Sequence, residues 1–201
     1  MFKQHYYKAL DPKPVWPMQA HRVNAIYGTM KRTIRQTQEE DKLNLKRQIL
    51  LSANDFEVNC RQITRSQDDF DSWFNSQLRI LQDVPFGWTD AGNYRRSTIT
   101  FGLAQKFLNL TLKDWWCMSA ASEELNYGVL HAPFDRVMWD KLWALTRIDF
   151  LSLKQGGYYV YLSRSDYDKY QQHLLSPQLW EKLGVKHPLK RIEVEQLVWG
   201  S

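Results

Sequence analysis

A lysine stands near the head of the most apolar helical stretch of this chain, and an aspartate opens a second such stretch about thirty residues later. The first is Lys106, in TFGLAQKFLNLTLKDWW (100–116), and the second is Asp135, in HAPFDRVMWDKLWAL. An amine near a helix N-terminus feels the positive end of the macrodipole, and Phe101, Leu103 and Phe107 surround this one with apolar groups. Both influences disfavour the ammonium, lower its pKa and supply the neutral amine that a lysine nucleophile requires. A carboxylate facing that amine can orient it, relay its proton and stabilise a developing sugar cation. Lys113 lies seven residues on, almost two full turns, so it shares the face of Lys106 and is the reserve nucleophile. Plainer roles stand beside these. Lys106 can snorkel its charge to solvent, and Asp135, two residues after Pro133, can be a helix cap. Met138 occupies the position where a capping box would have Glu or Gln.

Other residues fit a polyanionic partner. Arg95 and Arg96 close the Gly- and Pro-broken segment PFGWTDAGNYRRST, and with Lys113 and Arg136 they are candidate phosphate contacts. The alternative is a solvated face. Nine Trp are unusual for 201 residues. Trp88, Trp115, Trp116, Trp139, Trp143 and Trp199 could stack on a base, although Trp at helical spacing defaults to core. The net charge of +5 points the same way without proving it. Cys60 and Cys117 form no CxxC pair and have no His at ligand spacing, which makes them free buried thiols. There is no phosphate-cradling Gly loop and no GxSxG. No metal and no cofactor is expected.

The text AQKFLNLTLK followed by APFDRVMWDKLWAL resembles the helix–hairpin–helix DNA glycosylase superfamily, in particular its archaeal-type 8-oxoguanine DNA glycosylase/AP-lyase branch. The likeness covers residues 99–148, with a further match in VEQLVWGS at the C-terminus. It implies a compact helical fold in which Lys106 attacks the sugar C1′ of a flipped nucleotide and Asp135 assists. It implies a base pocket containing Glu195 and Trp199, which have the branch's four-residue spacing. Trp139 and His131 are further candidates for contact with the substrate. The partner implied is duplex DNA with one base extruded. TFGLAQK departs from the superfamily pattern in having one glycine, Gly102, before the lysine.

These residues need elements to position them. The segment to Pro17 is proline-punctuated and reads as an arm on the body. Apolar spacing predicts helices over 18–36 and 38–52, a short helix capped at Asn54 or Asp55 and running to about Thr64, and a helix over 66–84. The segment 85–98 reads as a break. Helices follow over 99–118 and from Asp135. GGYYVYLS (156–163) reads as an irregular or short hairpin segment. Three further helices follow, the first two opening at Ser163 and Ser176, with Pro177 at the first helical position. The expected fold is mostly α, a single domain over 1–201 with two helical lobes, about 18–84 and 97–201. No apolar run is long enough for a membrane span, and a cytoplasmic monomer, nucleoid-associated if bacterial, is the expectation. Besides the glycosylase, two readings stay open: a non-enzymatic nucleic-acid-binding module, and a protein-interaction adaptor of a defence or mobile-element system.

Overall fold

The computed structural model describes residues 39–90, 93–118, 125–147 and 162–200. The expected N-terminal arm, the helix over 18–36 and the hairpin segment near 156–163 as far as residue 161 lie outside them. Among the described residues the protein is mostly α, with seven helices and one two-stranded ribbon.

The first helix, α1, runs unbroken from Glu39 to Ile63. The cap expected at Asn54 or Asp55 is absent, and the two expected helices are one. Leu45, Ile49, Ala53, Phe56, Cys60 and Ile63 step through the supposed break at three- and four-residue intervals and are all buried. Asp55 serves the next helix instead, accepting the Trp73 indole N–H at 2.7 Å and the Gln77 amide at 3.2 Å. That next helix, α2, spans Gln67–Gln82 and is capped by Ser66, whose hydroxyl accepts the Asp69 N–H. Its stripe of Phe70, Phe74, Leu78 and Leu81 is buried.

Residues 85–98 form a ribbon rather than a loop. Strand β1 (Pro85–Asp90) pairs antiparallel with β2 (Asn93–Thr98), in register from Pro85 opposite Thr98 to Asp90 opposite Asn93. The ladder meets backbone hydrogen-bonding needs locally, so these strands require little apolar alternation. Helix α3 (Phe101–Met118) follows directly. Leu103, Ala104, Phe107, Leu108, Leu112, Trp115 and Trp116 are buried around its circumference, as expected of a central helix. Both α1 and α2 pack on it.

A single 3₁₀ turn at Tyr127–Val129 leads by an extended segment into α4 (Arg136–Thr146). Arg147 ends α4 in the left-handed region, at φ 54°, and stacks its guanidinium 4.4 Å from the Trp143 ring. Helix α5 (Arg164–His173) starts at the expected cap Ser163. Helix α6 (Pro177–Lys182) starts at Ser176 with Pro177 in its first turn. Gly184, at φ 68°, turns the chain after α6, where a side chain would be strained. The last helix, α7 (Arg191–Gly200), packs against α4. One buried apolar cluster runs from Leu45 in α1 to Val198 in α7. None of the described helices is long and apolar enough to cross a membrane.

Candidate active site

Lys106 sits in the second turn of α3 and Asp135 sits immediately before α4. The fold brings them together, with Lys106 Nζ 3.1 Å from Asp135 Oδ2. The two side chains retain 11% and 15% of their exposure, so the pair is sunk in the protein but still reachable. The lysine does not snorkel to open solvent. The aspartate is a cap as well as a partner. Its Oδ1 accepts the Met138 N–H at 2.9 Å while Oδ2 faces the amine. The two roles weighed for Asp135 use different oxygens and do not compete.

The segment in front of Asp135 is held by side chains. The Gln171 amide donates to the Ala132 carbonyl at 2.7 Å and accepts the Ala132 N–H at 3.0 Å. The Tyr170 hydroxyl donates to the Pro133 carbonyl at 2.9 Å. Burial pushes the Tyr170 phenol well above its ordinary pKa, and the charges of Glu195 and Asp135 push the same way. It therefore stays a hydrogen-bond donor. Tyr170 and Gln171 were not singled out in the sequence, where SRSDYDKYQQHLL reads only as a polar helix.

A second charged pair lies deeper. Lys113, expected at phosphates on the surface, is buried and reaches both oxygens of Glu195, at 2.9 and 2.7 Å. Glu195 is fully enclosed. Burial raises the pKa of its carboxyl; Lys113 and the Trp199 side chain oppose the rise, and the Asp135 charge adds to it. The two pairs thus sense each other electrostatically, two amines balanced by two carboxylates. Trp199, one turn beyond Glu195, is 43% exposed, and its carbonyl accepts from Lys141 at 2.9 Å. Glu195 and Trp199 lie on one face of α7 at i, i+4.

Of the other expected site residues, only Arg136 adjoins this pair in sequence. His131 is buried with its Nε2 3.1 Å from Asp71 Oδ1 and its Nδ1 3.1 Å from the Tyr167 hydroxyl. The rings of Phe70, Phe74 and Tyr167 surround it edge-on. It is a core group rather than a substrate contact. Trp139 is buried in α4, as are Trp115 and Trp116 in α3, which is the default expected of Trp at helical spacing. Arg136 is exposed beside the site, 3.4 Å from Asp140. Arg95 and Arg96 lie in β2, in register with Trp88 and Gly87.

A reachable amine held against a carboxylate suits attack on an electrophilic carbon. No known family model, curated protein or solved structure matches the chain.

Proposed function

We propose that the protein is a DNA glycosylase that excises a damaged or modified base through Lys106, assisted by Asp135. The observation that carries this reading is the 3.1 Å contact between Lys106 Nζ and Asp135 Oδ2, at a largely buried place where two helices meet. A lysine placed only for solubility has no need of such a partner.

In this reading duplex DNA presents one extruded nucleotide to the site. Asp135 Oδ2 first takes a proton from the Lys106 ammonium that it faces and relays it to the departing base. The freed Nζ lone pair bonds to C1′ as the bond from C1′ to the base nitrogen breaks, and that electron pair leaves with the protonated base. Asp135 Oδ2 accepts the proton released by the alkylated amine and stabilises the positive charge that builds on the sugar. Ring opening then gives an imine to Lys106, the species from which strand cleavage by an AP-lyase step proceeds. Asp135 Oδ1 remains on the Met138 N–H throughout, so the carboxylate keeps its orientation. The Lys113–Glu195 pair is enclosed and bonded to itself, so it does not reach the base, whereas Trp199, exposed near the end of α7, supplies a face for stacking. Arg136, exposed in the first turn of α4, would contact a phosphate.

Asp135→Asn tests this reading. Asparagine keeps the cap but cannot take the amine's proton, so base release should be lost while affinity for the same DNA is kept. Base release that survives this substitution would refute the role given to Asp135. A pure nucleic-acid-binding module would show salt-dependent binding and no base release in either form.

A further inference from the structure

A line of hydrogen bonds, buried from His131 inward and unused by the chemistry above, ends beside Asp135. Asp71 Oδ1 meets His131 Nε2 at 3.1 Å, and His131 Nδ1 meets the Tyr167 hydroxyl at 3.1 Å. Asn109 Nδ2 donates to that hydroxyl at 2.8 Å and to Gln105 Oε1 at 3.0 Å. Gln105 then engages both main-chain groups of Phe134: Oε1 accepts the N–H at 3.3 Å and Nε2 donates to the carbonyl at 2.9 Å. Nε2 also donates to the Gly102 carbonyl at 2.9 Å.

The sequence positions make this arrangement consequential. Gln105 immediately precedes Lys106, and Phe134 immediately precedes Asp135. The amide therefore bridges the neighbours of the two reacting residues, pairing with the Phe134 backbone as an adjacent strand would. Gln105 is fully buried, and a buried amide is unfavourable unless its polar atoms are bonded. Its orientation is dictated, because the Phe134 N–H requires the oxygen and the two carbonyls require the nitrogen.

We propose that Gln105 is a positioning residue. By gripping both backbone groups of Phe134 it fixes the register of the Asp135 segment against α3, and so sets the separation of Lys106 from Asp135. This rests on the reading of that pair as the reacting groups.

The test is Gln105→Met, which keeps length and approximate volume and removes both the donor and the acceptor. Two quantities are measured. One is acetylation of Lys106 by acetic anhydride, read by mass spectrometry against the exposed Lys182 and Lys186 in the same molecule; it needs no DNA. The other is borohydride trapping on duplex DNA with an abasic site. Lys106 should be acetylated several-fold faster, approaching its rate in Asp135→Asn. Trapping should fall about 100-fold, the scale of a displacement of about 1 Å in a reacting geometry. Leu45→Ala, a core change in α1, should lower the melting temperature yet leave Lys106 acetylation as in the wild type. This separates positioning from general stability. In Gln105→Glu the neutral acid still accepts from the N–H and donates to the carbonyl, so both quantities, taken relative to wild type, should recover as the pH falls. That variant carries the test if Gln105→Met does not fold. Wild-type acetylation of Lys106 in folded Gln105→Met, or no pH-dependent recovery in Gln105→Glu, overturns the proposal. Faster acetylation in Gln105→Met with no trapping by the wild type would uphold the positioning and discard the glycosylase reading.

Discussion

Asp135 divides its carboxylate between two tasks, holding the Met138 N–H with one oxygen and the Lys106 amine, 3.1 Å away, with the other. The start of α4 is thereby tied to the first turns of α3. The residue that begins a helix is also the one that faces the amine.

The first prediction separates these tasks. Asparagine caps a helix about as well as aspartate, whereas alanine does not. Asp135→Ala should therefore be less stable than Asp135→Asn by about 1 kcal/mol in denaturant unfolding. Base release should be lost in both. Equal stability of the two variants would show that the cap contributes nothing.

The Lys113–Glu195 pair gives a second. Removing one partner of a buried ion pair leaves the other charge uncompensated, at a cost of about 3–5 kcal/mol. Lys113→Met should show this loss, and adding Glu195→Gln should restore most of it. The pH dependence has a definite sign. Burial raises the folded pKa of the Glu195 carboxyl above its ordinary 4.5, so the folded state favours the protonated form. Stability linked to this group is full below 4.5 and lost as the pH rises through the raised value. Lys113→Met should thus regain stability on acidification, relative to wild type, in thermal melts across that range.

His131 gives the opposite slope. Burial lowers its pKa below the ordinary 6.5, so it folds neutral. Its contribution is complete above 6.5 and is lost as the pH falls from there towards the depressed folded value. His131→Gln should flatten that part of the melting profile. An unchanged slope would assign it to other groups.

Trp199, nearly half exposed on α7, should matter for binding as well as for folding. Stacking of one base on an aromatic ring is worth about 1–3 kcal/mol, so Trp199→Ala should weaken binding to lesion-containing DNA by about 5-fold to 150-fold. Its melting temperature should fall as well, because the Trp199 side chain hydrogen-bonds the enclosed Glu195 carboxylate. Equal affinity of the two proteins would remove Trp199 from the base pocket.

What the sequence made legible follows from how local each signal is. The caps Ser163, Ser176 and Asp135 each bond the N–H three residues on, and that relation is written in adjacent residues. The Lys106–Asp135 pair was legible because each opens or nearly opens an apolar helix and their chemistry is complementary. The rest depends on distant partners. That Lys113 shares the face of Lys106 was readable, but the carboxylate opposing it lies 82 residues away. His131 turns from the site because Asp71 and Tyr167 claim its two nitrogens. The Asn54–Asp55 cap signal in α1 was overridden by burial of Phe56, Cys60 and Ile63. The β1–β2 ribbon was hidden because a local backbone ladder leaves little mark on side-chain pattern.

The central claim is that the Lys106 amine forms a covalent bond to a deoxyribose. Borohydride reduction during incubation with DNA carrying an abasic site or a panel of modified bases reads that bond as a protein–DNA adduct. The account predicts an adduct with the wild-type protein, mapped to Lys106 by peptide mass spectrometry and absent in Lys106→Gln. No adduct on any of these substrates, or an adduct of equal yield in Lys106→Gln, would contradict it.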